Sequence, residues 1–256
     1  LPFCFLLATR VCRREARVLD IVLLSVAYAL LILTHLPMAL MGSIALLVYC
    51  IFSLPAGSRT ATVARLGAAV FLGLCASAFY WVRMVTELSY VKHATSEFVS
   101  DAYDYRSNFL LSFFTAGGTD YIDRSLWFGD LMLIATAAMV IPAAFAYRRA
   151  NGSFAPLKPN IAVIALSLFV ASPASIWIWN NIETLQKIQF PWRWLGPLTG
   201  ASSLFGAAGY ETITKWFRSE SSRPLAIACT GLFSIGIAFT AAQIIKPAVY
   251  IEAQAF

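Results

Sequence analysis

The residues best suited to chemistry lie in one short stretch, Ile188-Gln189-Phe190-Pro191-Trp192-Arg193-Trp194. Arg193 offers a permanent cation with paired N–H donors, and Gln189 offers an amide about one helical turn earlier. Arginine is costly in lipid and is usually kept at a membrane edge only where something anionic or polar meets it. One interpretation is a binding site for an anionic or polar group, with Trp192 beside it. The other interpretation is a helix end that Arg193 and its tryptophan neighbours anchor against lipid headgroups.

The composition sets the kind of structure that must hold this stretch. The chain is 59% hydrophobic and 12% charged with a mean hydropathy of +0.72, whereas a soluble domain carries about 25% charged residues. We therefore expect an all-α, polytopic integral membrane bundle that forms a single transmembrane domain over residues 1–256. Most of its surface would contact membrane lipids or other helices, and the net charge of +6 describes loops and does not indicate a nucleic-acid partner.

Apolar runs predict about seven transmembrane helices. The runs lie at residues 20–35, 37–54, 63–85, 126–147, 160–179, 194–213 and 224–245. The first two meet at Thr34-His35-Leu36-Pro37 and predict a tight helical hairpin, with Pro37 in the first turn of the second helix. An apolar stub at 1–8 precedes them, and the chain begins with Leu1, so we expect it to be the later part of a longer protein.

Charged residues predict the orientation of these helices. Twelve of the nineteen lysines and arginines fall on one side, which the positive-inside rule makes cytoplasmic. They are Arg10, Arg13, Arg14, Arg17, Arg59, Arg65, Arg148, Arg149, Lys158, Lys215, Arg218 and Arg223. The carboxyl terminus, a polar loop at 86–125 and the segment 178–194 are then expected on the outer face. We expect segment 178–194 to form an amphipathic interfacial helix, with Asn180 or Asn181 as N-cap and an end before Pro191.

Three motifs carry a family resemblance: Thr34-His35-Leu36-Pro37, then Phe79-Tyr80-Trp81 with Glu87, and then Ile188 to Trp194. With these motifs the chain resembles bacterial polytopic membrane proteins of the 6-pyruvoyl-tetrahydropterin-synthase-related domain, close to the YfhO-type proteins and within the GT-C glycosyltransferase superfamily. The resemblance covers most of the chain. It implies an enzyme of the bacterial inner membrane that moves a sugar from a polyprenyl-phosphate carrier to an acceptor glycan or lipid on the outer face. It also implies that the main catalytic acid lies before Leu1.

The resemblance gives roles to several candidate residues. Arg193, Gln189, Trp192 and His35 are expected to bind the substrate, and Glu87 and His35 are the catalytic candidates. His35 would donate a hydrogen bond to a phosphate or a sugar hydroxyl, or it is a packed histidine that caps a backbone carbonyl.

Glu87 would orient an acceptor hydroxyl or act as a base, or it is a surface glutamate paired with Arg83 four residues earlier. No metal-ligand spacing or glycine-rich phosphate loop stands out, and no cofactor is predicted.

Two other functions remain open at this stage. A transporter or flippase for a lipid-linked or amphipathic substrate would need ionisable residues or broken helices near the middle of the membrane, and here the charges gather at the helix ends. A non-catalytic membrane scaffold would tolerate Arg193→Ala and His35→Ala and would fail only when packing is disturbed.

Overall fold

The computed structural model describes residues 1–55, 57–87, 90, 104–111, 120–151, 153, 157–186 and 188–217. The helices are α1 (Pro2–Val11), α2 (Val18–Thr34), α3 (Leu36–Ser53), α4 (Arg59–Ala76), α5 (Ala78–Thr86), α6 (Asp120–Asn151), α7 (Lys158–Ala171), α8 (Ile176–Asn181), α9 (Glu183–Gln186) and α10 (Leu195–Phe217). Short 3₁₀ turns lie at Tyr105–Ser107, Pro173–Ser175 and Pro191–Trp194. The expected all-α class is confirmed for these residues. The run at 224–245 and the carboxyl terminus lie outside them.

Two described helices, α3 and α4, are long and apolar enough to cross a membrane. Each has 18 residues, with mean hydropathies of 2.0 and 1.3. A third candidate is α7 taken together with Pro173–Asn181, although the two parts are bent by 82° at the break between them. Helix α2 is equally apolar in character but has 17 residues. The described part of the chain therefore contains two or three candidate spans.

The hairpin between α2 and α3 is confirmed. Helix α2 ends at Thr34, α3 begins at Leu36, and Pro37 lies in the first turn of α3. Tyr28 of α2 and Ser43 of α3 join the two helices through a hydroxyl–hydroxyl hydrogen bond of 2.8 Å. Such bonds between polar side chains, together with close packing, hold helices against one another where the surroundings are apolar.

The core is built where α1, α3, α7 and α10 meet, and α2 and α4 pack along its side. The predicted amino-terminal stub is a ten-residue helix, and its Phe5 stacks on Tyr49 of α3 with ring centroids 4.8 Å apart. Gly73 of α4 lies so close to α2 that a Cβ there would be 2.8 Å from the Ser25 carbonyl oxygen. A small residue is therefore required at this helix contact.

Large apolar side chains also cover much of the outside of the bundle. Along α2 they form a stripe at a spacing of four residues, with Val22, Val26 and Leu30 exposed by 43%, 51% and 57%. On α3, Leu47 and Ile51 are likewise exposed. A soluble monomer rarely exposes a continuous apolar surface of this kind, whereas lipid-facing helices present one routinely.

Two predicted runs are broken, which corrects the expectation of one continuous helix in each. The run at 63–85 divides at Ser77, whose buried hydroxyl donates to the Gly73 carbonyl at 2.8 Å. The run at 160–179 divides at Ser172, because the residue before Pro173 is extended, with φ −99° and ψ 158°. At each break a side chain satisfies a carbonyl group that the break leaves open. The Trp81 indole donates to the Leu74 carbonyl at 2.9 Å, and the Ser175 hydroxyl donates to the Val170 carbonyl at 3.0 Å.

The prediction of a single amphipathic helix over 178–194 is wrong. Asn180 and Asn181 are the last residues of α8 and not an N-cap, and α9 is one turn, Glu183–Gln186. The side chain of Gln186 turns back and donates to the carbonyl groups of Trp179 and Asn180 at 2.8 and 3.2 Å. This amide caps the carboxyl end of α8, and the chain continues as turns up to Pro191.

The predicted outer loop at 86–125 is shorter than expected, because α6 begins at Asp120. Residues 104–111 within it are docked against the bundle, with Tyr105, Phe109 and Leu110 buried. A polar, solvated loop is therefore the wrong description of this segment. The rest of the loop up to Asp120, apart from residues 86, 87 and 90, lies outside the described residues.

Candidate functional site

The candidate site is built on a tight turn centred on Gln189. Its backbone has φ of 66°, one of two positive values at non-glycine residues in the described chain. The Phe190 N–H donates to the Ile188 carbonyl at 2.8 Å, which closes a three-residue γ-turn. Positive φ costs a residue with a Cβ about 1 to 2 kcal/mol. The turn must therefore be held by contacts outside it.

Arg193 supplies such a contact. Its Nη1 donates to the same Ile188 carbonyl at 2.9 Å, and its guanidinium carbon lies 4.6 Å from the centroid of the Phe190 ring. The Arg193 backbone N–H donates to the Phe190 carbonyl at 3.0 Å. One side chain thus fixes both residues that flank Gln189, and the 3₁₀ turn Pro191–Trp194 aims it there.

The electrostatic state of Arg193 follows from its position. The side chain is half-buried, and this burial lowers the pKa of the guanidinium from its ordinary value. No ion pair joins it to a carboxylate among the described residues. A half-buried cation whose charge is not matched by a carboxylate is suited to an anionic or strongly polar ligand.

The tryptophans of this region do not form one interfacial group. Trp179 and Trp194 are fully buried, whereas Trp177 is 61% exposed. Trp192 is half-buried, and its ring centroid lies 5.5 Å from that of Phe190. Only Trp192 and Trp177 therefore fit the expectation of rings at a membrane boundary. Trp192, Phe190 and Arg193 form the accessible part of the motif.

The buried indole of Trp194 adds an unusual feature. Its Nε1 has no hydrogen-bond partner in the described residues, whereas the Nε1 of Trp179 donates to the Val170 carbonyl at 3.2 Å. A buried donor without a partner costs about 1 to 3 kcal/mol. Trp194 is thus held in the core by its packing.

His35 is exposed at the tip of the hairpin and serves as the N-cap of α3. Its Nδ1 accepts the Met38 backbone N–H at 3.2 Å. The alternative considered from the sequence was a histidine that caps a carbonyl group, whereas His35 caps an N–H group. In the neutral ring the other nitrogen, Nε2, then carries the proton and can donate. His35 is not packed in the core as its alternative interpretation required.

The hairpin and the arginine motif come to the same end of the bundle. A Cβ at Gly196 would lie 2.6 Å from the Met38 methyl carbon, which places the first turn of α3 against the first turn of α10. His35 accepts the backbone N–H of Met38, and Arg193 lies three residues before Gly196. The tip of the hairpin and the arginine motif therefore lie at the same end of the bundle.

Glu87 is accounted for by a local contact. Its Oε1 accepts from Nε of Arg83 at 3.1 Å, and both side chains are more than half exposed. This confirms the i, i+4 pair considered from the sequence. It leaves the catalytic role of Glu87 as a prediction.

Sequence reasoning missed a second polar contact set, in which residues 104–111 dock onto α8. Tyr105 donates through its hydroxyl to Oδ1 of Asn180 at 2.6 Å, and its ring stacks on Trp179 with centroids 5.7 Å apart. The Leu110 N–H donates to the Ala171 carbonyl that the break after α7 leaves open, at 2.9 Å. The polar loop contains three apolar or aromatic residues at helical spacing, Tyr105, Phe109 and Leu110. This spacing could have predicted the docking.

The described residues contain no group of three or more histidine, cysteine, aspartate or glutamate side chains placed to hold a metal ion. Comparison with known proteins adds no assignment, since no protein-family model, no curated protein and no solved structure matches this chain.

Proposed function

We propose that this chain is part of a membrane glycosyltransferase of the GT-C type, which moves a sugar from a polyprenyl-phosphate carrier to an acceptor glycan or lipid. In this proposal the chain has about seven spans in the bacterial inner membrane, with segment 178–194 and the carboxyl terminus on the outer face. The observation that carries the proposal is the Arg193 guanidinium, half-buried beside Phe190 and without a carboxylate partner in the described residues.

The proposed reaction places this cation where negative charge develops. The acceptor hydroxyl attacks the anomeric carbon, the bond from that carbon to the phosphate oxygen breaks, and the carrier phosphate leaves with the electron pair. Arg193 has five N–H donors and gives one to the Ile188 carbonyl. The others are available to two phosphate oxygens, which is the arrangement that stabilises a leaving phosphate.

His35 and Gln189 support the same step in this proposal. The neutral His35 ring donates from Nε2, because its Nδ1 accepts the Met38 N–H. The Gln189 amide hydrogen-bonds a sugar hydroxyl or a phosphate oxygen, and its strained turn sets the direction of the side chain. A carboxylate takes the proton from the acceptor, with Glu87 as the candidate on this chain.

The test is sugar transfer by the purified full-length protein from a radiolabelled polyprenyl-phosphate sugar. Arg193→Lys keeps the charge but loses the planar fork, so we expect a loss of about tenfold or more in kcat/KM, and Arg193→Gln should lose more. Glu87→Gln and Arg83→Gln both break the same ion pair. Loss of transfer in Glu87→Gln alone would identify a base, whereas equal small effects would remove Glu87 from the mechanism. Wild-type-like transfer by Arg193→Gln would overturn the proposal.

A transporter or flippase for a lipid-linked substrate is the second candidate, and one observation favours it. The 82° bend between α7 and Pro173–Asn181 is a broken helix, and discontinuous helices form the substrate sites of many transporters. An assay in proteoliposomes that carry a fluorescent polyprenyl-phosphate sugar distinguishes the two functions. Movement of the carrier across the bilayer without transfer to an acceptor would favour transport. Transfer without movement would favour the enzyme.

A further inference from the structure

A second cationic region lies at the other end of α3 from the His35 hairpin, about 27 Å away along that helix. It brings together arginines from the α1–α2 turn and from the first turns of α4. We call it the arginine cluster. Its members are Arg10, Arg13, Arg14, Arg17, Arg59 and Arg65.

Contacts between the two segments show that they converge. Nη1 of Arg65 donates to the Arg13 carbonyl at 3.4 Å. The guanidinium of Arg14 covers the backbone just before α4, since a Cβ at Gly57 would lie 2.7 Å from its Nη2. The Arg14 side chain from the α1–α2 turn and the Arg65 side chain from α4 thus lie where the turn meets the start of α4.

Six arginines stand in this region against two carboxylates, Glu15 in the α1–α2 turn and Asp20 in the first turn of α2, so positive charge predominates. None of the six guanidinium groups forms an ion pair among the described residues. Asp20 accepts the backbone N–H of Arg17 at 2.9 Å, at the start of α2. A cluster of four to eight basic residues next to a membrane helix attracts anionic lipid.

The start of α4 provides the second, independent observation. Ser58 is its N-cap but makes no side-chain capping bond. The hydroxyl oxygens of Ser58 and Thr62 are buried and have no hydrogen-bond partner in the described chain, and Thr62 is 0% exposed. Ser58, Thr62 and Arg65 stand at i, i+4 and i+7, so they share the face of α4 that meets the α1–α2 turn.

Orientation rules alone account for an excess of arginine, but they do not account for buried hydroxyl groups without partners. An acceptor with several oxygens and negative charge would satisfy the hydroxyls, the open N–H groups at the start of the helix and the guanidinium groups together. Phosphate has this chemistry. It can be supplied by a phospholipid headgroup or by a free phosphate compound.

We propose that the arginine cluster and the amino-terminal end of α4 form a binding site for an anionic phosphate group, separate from the Arg193 site. The hydroxyl groups of Ser58 and Thr62 donate to its oxygens, and Arg14 and Arg65 balance its charge. The proposal does not depend on the glycosyltransferase proposal, because it uses none of the same residues.

Native mass spectrometry of the purified full chain tests the site. Phosphatidylglycerol, phosphatidylcholine with the same acyl chains, and inorganic phosphate are titrated separately, and inorganic phosphate is then used as a competitor. We expect phosphatidylglycerol to bind, and Arg65→Gln to weaken its binding about fivefold. Lys158→Gln removes the same charge from the start of α7, and its effect should stay below about twofold.

Thr62→Val separates ligand binding from folding. It keeps the shape of the side chain and removes the unpartnered hydroxyl, so the lipid-free protein should unfold at an equal or higher temperature. The same change should weaken phosphatidylglycerol binding about tenfold if the hydroxyl donates to the phosphate. A purely structural threonine would leave the lipid affinity unchanged, and that result would contradict the proposal.

The three ligands identify the source of the phosphate. Displacement of phosphatidylglycerol by inorganic phosphate, with the same sensitivity to Arg65→Gln, supports the site and assigns it to a free phosphate compound. Binding of phosphatidylglycerol that resists inorganic phosphate supports a lipid headgroup. Equal binding of both lipids, or equal effects of Arg65→Gln and Lys158→Gln, would overturn the proposal.

Discussion

Removing the Arg193 side chain should destabilise the turn at Gln189 by a measurable amount. The bond from its Nη1 to the Ile188 carbonyl is charge-assisted and contributes about 1.5 to 3 kcal/mol. The contact with the Phe190 ring adds about 0.5 to 1 kcal/mol at a partly exposed site. The substitution also removes the desolvation cost of a partly buried cation, which offsets part of the lost free energy. We expect Arg193→Ala to lower the free energy of unfolding by about 2 kcal/mol.

Unfolding in mixed micelles with increasing SDS, followed by tryptophan fluorescence, measures this change. Arg83→Ala is the matched control, because its side chain is 77% exposed and pairs only with Glu87 among the described residues. We expect its effect to stay within about 0.5 kcal/mol. An Arg193→Ala variant no less stable than this control would show that the contacts to Ile188 and Phe190 do not hold the turn.

A double-mutant cycle with Gln189→Gly tests the reason for the effect. Glycine adopts positive φ without steric cost, so this change should stabilise the wild type by up to about 1 kcal/mol. When Arg193 is alanine, the turn can relax, and the same change should stabilise less. A coupling of at least about 0.5 kcal/mol is expected. Additive effects would mean that Arg193 and the backbone of Gln189 are independent.

Three further predictions concern single contacts of the fold. Gly73→Ala places a Cβ 2.8 Å from the Ser25 carbonyl oxygen, so it should lower the free energy of unfolding by about 1 to 3 kcal/mol. Gly67→Ala in the same helix is the control, because nothing lies within 4 Å of its Cβ. It should raise the free energy of unfolding by up to about 1 kcal/mol. Tyr105→Phe keeps the ring stack and removes the bond to Asn180, so thermal unfolding should show a loss of about 1 kcal/mol. His35→Ala should lower the free energy of unfolding by about 1 kcal/mol, because the N-cap of α3 is lost. His35→Asn should restore stability. An asparagine variant as unstable as the alanine variant would exclude capping as the reason.

The positions of the long helices in the described part of the chain could be predicted from the sequence, because their apolar runs are long. The hairpin at His35 followed from a charge-free stretch too long for one helix and from Pro37, and the structure confirms both helices. The break at Ser172-Pro173 was not predicted, although proline disfavours a helical residue before it. The apolar run continues through the break to Trp179, so its length alone indicates one helix.

Other features depend on contacts that no local pattern contains. The carbonyl groups at the end of α7 accept from the Leu110 N–H and from the Trp179 indole, residues distant from each other in sequence. The interfacial helix was predicted from apolar spacing at Ile182, Leu185 and Ile188. That spacing does place Leu185 and Ile188 in the core. The Gln186 side chain nevertheless caps the carboxyl end of α8, seven residues earlier in the chain, and α8 ends at Asn181 despite the helical spacing.

Arg193 can hold the turn and bind an anion at the same time, and this affects how its variants must be judged. Its bond to Ile188 uses one donor and fixes the direction of the guanidinium, so the remaining donors are preorganised for an anion. Loss of activity in Arg193→Ala would therefore follow from a disordered turn as well as from a lost ligand contact. Arg193→Lys separates the two effects when its unfolding is measured beside its carrier affinity, because a lysine ammonium can still donate to the Ile188 carbonyl but has no planar fork. If the free energy of unfolding of this variant stays near the wild-type value while carrier affinity falls, the guanidinium itself binds the phosphate.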